Sequence, residues 1–418
     1  MTDEGARFET GVANSWGFWP ERPTYWSYSS LREVEACPRR WMLVHAAYPD
    51  IWTRRGYPLR PSTPALLGDV VHSAIDVIVE ALTRARCTSI HAAEAVGVIR
   101  ELGGLSAVLR DAIESSVTAL TDNPRLNAEA LDGLRQALTD LLGVASNRVQ
   151  VFLSRGNLPA WSGESRATAD EGWTSPQTPG RRSRAPVGSG AHPEVDVIAE
   201  HLRLRGRIDL LTVDQQAVTI TEYKTGQENP SHDEQVRLYA LLWDLDRQTN
   251  PNRRPATSLV LSYPGRERAV DALSDQALRA LEEATTKRIE HADAETAADE
   301  PRALPGPDTC THCQVRQLCQ DYWERQVPDP AAVPTNEWFD LEGTVVRRNG
   351  IKSWRVEATM GSGAQLLVRT ASPSDRLPVG QRVRLLGLRK VEDADEPNQL
   401  IGALGSTSET FLLDKSSA

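Results

Sequence analysis

The stretch Thr219-Ile220-Thr221-Glu222-Tyr223-Lys224-Thr225-Gly226 constrains this chain more than any other. It reads as a β-strand closed by Gly226. Glu222 and Lys224 are two positions apart, so a strand projects an acid and a base from one face. Upstream, the run from Leu204 to Leu211 reads as a second strand, and Val213-Asp214-Gln215-Gln216 supplies the turn between them. An antiparallel hairpin of this length brings Asp209 beside Glu222. Two carboxylates at close range repel unless a cation lies between them. A hard divalent ion such as Mg²⁺ meets that need, and Lys224 is then placed to hold or polarise a water on it. Glu-x-Lys alone is common on solvated strands; Gly206-x-x-Asp209 on the preceding strand makes the pair informative.

With 418 residues the chain has room for two domains or three. A net charge of -10 and a pI near 5.4 argue against wholesale electrostatic binding of nucleic acid, while leaving a local basic groove open. No apolar run approaches the roughly 18 residues of a membrane span. The start Met1-Thr2-Asp3-Glu4 lacks a basic–apolar signal region, so the expected location is cytoplasmic. Five cysteines make an odd count for a disulfide framework, and cytosolic thiols stay reduced. Their clustering points to ligation of a metal or cluster.

Residues 1–28 form an aromatic segment with Trp16, Phe18, Trp19, Tyr25, Trp26 and Tyr28, expected to pack onto the body, with base stacking as the alternative. Ser30 and Glu33 fit a capping box opening a helix that carries Cys37-Pro38. Residues 64–86 form a helix in which Gly68 and His72 share a face, the glycine allowing a close approach. Residues 90–155 read as an all-helical insertion, with Cys87 as an unligated thiol just before it. The Ser/Gly/Pro/Arg-rich stretch 162–193 buries too little apolar surface to offset its ordering entropy and reads as a flexible loop. Order returns at Pro193. Ser231 is the expected N-cap of a helix on which Gln235 and Tyr239 share a face. A strand at Val260-Leu261-Ser262-Tyr263 and a surface helix over 274–297 follow.

Cys310-x2-Cys313-x5-Cys319 fits neither a disulfide set nor a complete zinc finger unless His312 or a remote ligand joins. After a linker marked by Pro328, Pro330 and Pro334, strand candidates at 338–348, 353–359, 364–370, 381–389 and 398–404 suggest a small OB-like β-barrel over 335–418. Such barrels bind single strands by aromatic stacking in a basic groove, for which Trp354, Arg347, Arg348, Lys352, Arg382, Arg384 and Arg389 are available. A barrel used for protein docking is the alternative.

The pattern Asp209-x12-Glu222-x-Lys224 after an apolar strand resembles the core of the PD-(D/E)XK nuclease superfamily. The wording Gly206-Arg207-Ile208-Asp209 followed by Glu222-Tyr223-Lys224-Thr225-Gly226 is most similar to its RecB-like branch. The resemblance covers roughly 25–325 and does not extend to the barrel. It implies an α/β fold: a restriction-endonuclease-like mixed-sheet core over 29–327, interrupted by the helical insertion. It makes the Gly-x-x-x-His pattern a metal-binding imidazole at His72, a ligand that suits Mn²⁺ better than Ca²⁺. It gives Glu194 as the acid of the first core strand, with Glu200 as its rival. Metal ligation falls to His72, Asp209, Glu222 and the Tyr223 carbonyl, and Lys224 positions the attacking water. Gln235-x-x-x-Tyr239 lines the site and contacts substrate or the lysine, and Arg207 is a further expected DNA contact.

The AddB-type nucleases and the CRISPR-adaptation exonucleases within this likeness hold a [4Fe–4S] cluster on one upstream and three downstream cysteines. Cys37, Cys310, Cys313 and Cys319 stand in those places. Soft thiolates suit Zn²⁺ equally, so a Cys₄ zinc is the rival. Tying Cys37 to Cys310 closes a very long loop, worth on the order of 5 kcal/mol if unstrained, which marks the centre as a structural staple. The implied activity is Mg²⁺- or Mn²⁺-dependent DNA hydrolysis, as an exonuclease on single-stranded or frayed DNA. The implied setting is repair, recombination or phage defence, with a possible helicase or defence partner. The alternative is a catalytically silent DNA-binding subunit of a helicase–nuclease or defence complex.

Overall fold

Side-chain caps open several of the helices, and prolines stand in the first turn of two of them. In the computed structural model, which describes residues 7–9, 16–87, 89–155, 184–359, 363–371, 377–394 and 399–413, β1 (Arg7–Glu9) pairs with β2 (Trp16–Phe18). Helix α1 (Tyr28–Ala36) begins earlier than expected, because Ser27 and not Ser30 opens it; the Ser30 N–H donates to Ser27 Oγ at 3.2 Å. The helix does not carry on through Pro38, whose ring denies a backbone donor. Instead α2 (Pro38–His45) starts afresh with Cys37 as its N-cap, the sulfur accepting from the Arg40 N–H at 3.4 Å. Ser62 caps α3 (Thr63–Arg84), which has Pro64 in its first turn and buries Leu67, Val71, Ile75 and Ile78.

Four helices follow: α4 (Ala93–Glu101), α5 (Leu105–Thr118), α6 (Ala128–Asp140) and α7 (Leu142–Arg155). Leu109, Leu138 and Phe152 pack with the apolar side of α3, and Cys87 belongs to the same cluster. Most of the stretch expected to be a loop at 162–193 lies outside the described residues. Its described end is already strand, since β3 (Gly190–Ala199) starts three positions before Pro193.

The sheet continues with β4 (Leu204–Val213) and β5 (Val218–Tyr223), crosses over through α8 (Ser231–Leu245), and adds β6 (Ser258–Ser262) and β7 (Glu267–Val270). Its order is β3-β4-β5-β6-β7, with only β5 and β6 parallel. That one parallel pair needs a crossover, which α8 provides. In the β4–β5 hairpin Asp214 Oδ1 accepts from the Gln216 and Ala217 N–H groups at 2.7 Å each, closing the turn. Leu210 pairs with Thr221, so Asp209 and Glu222 come level at the next position. At the start of α8 the side-chain acceptor is Asn229, whose Oδ1 takes the Ser231 N–H at 2.9 Å; Ser231 is already helical. A Cβ on Gly206 would sit 2.8 Å from both Tyr239 and Leu242, so only glycine lets α8 lie this close to β4.

By contact, the chain forms two compact units. One comprises Pro23–Leu31 and Arg60–His291 and holds this sheet. The other comprises Met1–Arg22, Arg32–Leu59 and Ala292–Ala418. Helix α9 (Asp275–Thr296) precedes its last segment, which carries α10 (Pro307–Cys310), a 3₁₀ turn at Arg316–Leu318, α11 (Gln320–Arg325) and a barrel. The barrel strands are β8 (Trp338–Gly350), β9 (Ser353–Ala358), β10 (Gln365–Thr370), β11 (Arg382–Val391) and β12 (Ile401–Leu413). They close in the order β10-β12-β11-β8-β9, with β10 and β12 parallel, an OB-like five-stranded barrel.

The expected stacking residue Trp354 is misplaced for that role. Its ring is 1 % exposed inside the barrel, among Val345, Val356, Val368 and Leu385. Alternation along β9 puts Trp354, Val356 and Ala358 on the core side, and a stacking platform needs an open ring. Arg382 and Arg384 are likewise committed, both pairing with Glu342. Trp26, in the aromatic N-terminal region, is fully buried, and Trp19 packs on a cluster around Tyr48 and Tyr57. Among the described residues no helix is long and apolar enough to cross a membrane.

Candidate active site

Five elements, α3, β3, β4, β5 and α8, converge at the open end of the β4–β5 hairpin. His72 comes from α3, which approaches closely because Gly68 faces Thr225; a Cβ there would stand 3.2 Å from Thr225 Oγ1. His72 Nδ1 lies 3.8 Å from Asp209 Oδ2 on β4. Directly across from Asp209 in the β3–β4 register stands Glu194, whose φ of +51° is left-handed. One donor atom each of His72, Glu194 and Asp209 lie within 4.8 Å of one another. Glu200, the rival acid, is turned away: its exposed carboxylate lies 3.6 Å from Arg184.

Beside this trio runs a chain of charge-assisted hydrogen bonds. Glu222 is 3 % exposed, and its Oε1 accepts from Lys224 Nζ at 2.9 Å and from Gln235 Nε2 at 2.8 Å. Lys224 Nζ also donates to Gln235 Oε1 at 2.8 Å, and Gln235 Nε2 donates to the Tyr239 hydroxyl at 2.9 Å. Strand parity puts Glu222 and Lys224 on one face, and helical spacing does the same for Gln235 and Tyr239. Glu222 Oε2 is buried and has no hydrogen-bond partner among the described residues. The Tyr223 N–H donates to Asp209 Oδ2 at 2.7 Å, while its ring packs against Phe152 at 5.0 Å. Arg207 donates to Glu194 at 3.1 Å and to Asp196 at 3.0 Å, with its side chain half exposed.

The electrostatics of the site are dominated by desolvation. Burial pushes the Asp209 carboxyl up to about 7, against the opposing hydrogen bond from the Tyr223 N–H. Burial and then the charge of Asp209 push Glu222 up to about 8, and Lys224 pulls the other way. Burial lowers His72, partly offset by Glu222 and Glu194, which favours the neutral imidazole that a metal needs. The Tyr239 phenol is raised by burial and by Glu222. The half-buried Glu194 and Asp209 carboxyls, the His72 imidazole and the orphaned oxygen of buried Glu222 form a donor set that fits a hard divalent cation such as Mg²⁺ or Mn²⁺.

Two acids of this neighbourhood escaped the sequence reading. Asp69 and Asp76 flank His72 at three and four positions along α3, a spacing that puts them on its face. Burial raises the Asp69 carboxyl, and the charge of Asp76 adds to the rise at Asp209. Their distance from His72 along the helix was the available signal. The left-handed backbone at Glu194 had none, since glycine and asparagine are the types that announce it.

The second constellation lies in the other unit. Cys37, Cys310, Cys313 and Cys319 line one cavity, together with Arg40 and Arg316. All four are free thiols, and Cys37, Cys310 and Cys313 are buried. Cys37 Sγ accepts from the N–H groups of Arg40 and Leu304 at 3.4 and 3.5 Å. Burial pushes the Cys313 thiol up to about 11, with the Val315 N–H and Arg40 opposing, and burial raises Cys319 as well. Among the described residues, the soft donors on the cavity wall are these sulfurs; His312 is exposed and does not line it. The set fits a thiophilic metal or an iron–sulfur cluster.

The sequence profile of the PD-(D/E)XK nuclease superfamily matches residues 25–320. No curated protein matches the chain. Two solved structures are similar in part. One is the OB domain of MM0293 from Methanosarcina mazei, at 11 % identity and a TM-score of 0.17, covering 21 % of this chain and 84 % of that one. The other is a murine DNA-binding protein bound to double-stranded DNA, at 9 % identity and a TM-score of 0.20, covering 55 % of this chain and 96 % of that one.

Proposed function

The chain belongs to the PD-(D/E)XK nuclease superfamily, and from that premise we propose that it is a metal-dependent deoxyribonuclease of the RecB-like branch. The observation that carries this is the meeting of His72, Glu194 and Asp209 donor atoms within 4.8 Å, next to the Glu222–Lys224–Gln235 network. His72, Glu194, Asp209 and Glu222 would hold Mg²⁺ or Mn²⁺, with the Tyr223 carbonyl as a further oxygen ligand. Such a cation supplies charge neutralisation at the scissile phosphate and eases formation of hydroxide near neutral pH.

The rest is done by the protein's own groups. Lys224, held by Glu222 and Gln235, presents an ammonium that orients the attacking water. Gln235 fixes the lysine and the Tyr239 phenol in one array, so both reach the backbone of a bound strand together. Arg207 sits at the exposed edge of the site and contacts phosphate. The substrate is single-stranded or frayed DNA, degraded from an end, in repair, recombination or defence, with a helicase or defence protein as partner. At Cys37, Cys310, Cys313 and Cys319 the chain holds a [4Fe–4S] cluster, with Zn²⁺ as the rival; iron, sulfide and zinc analysis of anaerobically purified protein separates them.

The test is cleavage of 5′- and 3′-labelled single and double strands with and without Mn²⁺, alongside Asp209→Ala and Lys224→Ala. Metal-dependent release of short products, lost in both variants, is the expected outcome. Robust cleavage in both variants overturns the assignment, and DNA binding without cleavage in the parent replaces it with the silent-subunit reading.

A further inference from the structure

The segment from Arg316 to Trp323 is held against the barrel by Arg316, the Gln317 carbonyl, Gln320 and Tyr322. Arg316, which lines the thiol cavity, donates through Nε to Asp340 Oδ2 on β8 at 2.6 Å and through Nη1 to the Cys313 carbonyl at 3.1 Å. The Tyr322 hydroxyl donates to the same Asp340 oxygen at 2.7 Å. The other oxygen of Asp340 accepts from the Gly387 N–H of β11 at 2.7 Å, so this acid is a hub and is only 6 % exposed. One strand over, Arg384 of β11 is 5 % exposed. It donates to Glu342 Oε2 at 2.8 Å, to Gln320 Oε1 at 3.0 Å and to the Gln317 carbonyl, and its guanidinium lies 4.9 Å from the Trp323 ring.

Arg316 and Gln317 lie between Cys313 and Cys319; Gln320, Tyr322 and Trp323 follow Cys319 directly. This segment has only a 3₁₀ turn and a short helix of its own, so its shape comes from its partners. Burying two acids and Arg384 there, beside the half-buried Arg316, is a poor source of net stability, but it dictates geometry, because any misplacement leaves a buried charge unpaired. A face formed by β8 and β11 and occupied in this way is a binding surface whose ligand is the chain's own thiol loop.

We infer that the β8–β11 face of the barrel is the clamp of the thiol centre, holding Cys313 and Cys319 in ligating geometry through Arg384, Asp340 and Glu342. The inference rests on the reading of the four cysteines as a metal-holding centre. It gives the barrel a function within its own unit that does not depend on nucleic acid. If the clamp orders the loop for the metal, the metal must in turn tighten the clamp, since coupling between two sites is reciprocal.

The experiment follows loss of iron and zinc from the full-length protein to excess EDTA under anaerobic conditions, by elemental analysis over time. Arg384→Ala and Asp340→Asn are each expected to release metal roughly tenfold faster or more, in line with other residues that orient metal ligands. Tyr322→Phe, which removes one hydroxyl, is expected to speed release less, and Arg389→Ala, on the exposed side of β11, not at all. Unchanged release from folded Arg384→Ala and Asp340→Asn overturns the inference while leaving the thiol centre standing. If those two fail to fold, an unchanged rate in Tyr322→Phe overturns it. A purified protein with neither iron nor zinc refutes the centre, and the clamp with it.

Discussion

Removing the divalent cation should uncover a pH-dependent cost carried by Asp209 and Glu222. Asp209 stands at about 7 against an ordinary 3.8, and Glu222 at about 8 against 4.5. Both acids therefore hold their protons more tightly in the folded chain than in the unfolded one. Between the ordinary and the folded values the native state binds more protons, so metal-free stability is highest at the acid end and falls as pH rises through that window. A rise of about 3 in one carboxyl corresponds to about 4 kcal/mol. The two acids repel each other and titrate as a pair, so we take about 4 kcal/mol for the site and not twice that. For a unit of this size that moves the unfolding midpoint by on the order of 10 °C. The assay is differential scanning calorimetry in EDTA and in saturating Mn²⁺, at about pH 5 and about pH 8, on the parent and on Asp209→Asn. The gain from Mn²⁺ should grow with pH, because the ion takes the place of protons the acids would otherwise keep. In EDTA, Asp209→Asn should lose less on going to the higher pH than the parent does, and it should gain little from Mn²⁺. A parent whose margin over Asp209→Asn in EDTA stays flat or rises with pH would refute the reasoning, as would an undiminished Mn²⁺ gain in the variant.

Lys224→Met should lower the cleavage rate by about 100-fold or more, while the Mn²⁺-induced rise in midpoint persists, because on the proposed reading the lysine orients water and is not a ligand. Gly206→Ala places a Cβ 2.8 Å from Tyr239 and Leu242, so chemical denaturation should show a loss of about 1–3 kcal/mol. Trp354→Ala should destabilise the barrel by about 3–5 kcal/mol in the same measurement, whereas Trp354→Phe should leave single-strand affinity in a fluorescence-anisotropy titration unchanged. Glu194→Gly relieves a left-handed backbone worth about 1–2 kcal/mol and should raise metal-free stability more than Glu194→Gln, which keeps that backbone; both should blunt the Mn²⁺ gain in calorimetry.

How legible each part was follows from how local its cause is. The nearness of Asp209 and Glu222 could be read because a strand alternates with period two and a short Asx-stabilised turn leaves one register. Gln235 and Tyr239 share a face for the equally local reason of helical spacing. The barrel strands were visible from alternation and glycine punctuation, though β12 runs on to Leu413, past the expected end at 404. Trp354 was misassigned by residue type, when its place in the run Trp354, Val356, Ala358 already put it on the core side. Ser30 and Ser231 looked like caps by type, and Ser27 and Asn229 do the work, because which oxygen reaches a free N–H depends on a turn preceding the helix. The fates of Arg382 and Arg384 were illegible, since their partner Glu342 lies some 40 positions away and is brought close only by barrel closure.

The local rules that fail at the sheet fail together. Glu194 takes a backbone conformation that its residue type disfavours, Asp209 and Glu222 are buried where their charges are costly, and Glu222 Oε2 has no donor among the described residues. Each departure alone is a cost of the order of a kcal/mol or more. What unites them is direction: Glu194 faces Asp209 across β3 and β4, and the Asp209 and Glu222 carboxylates repel each other on β4 and β5. On the proposed reading, a bound divalent cation would offset the charge costs together, replacing repulsion with attraction and giving the orphan oxygen a partner. The lysine between Glu222 and Gln235 does not remove the need, because its single charge is already shared between two acceptors. On the proposed reading, the metal-free protein would store at this site part of the free energy with which it holds the ion.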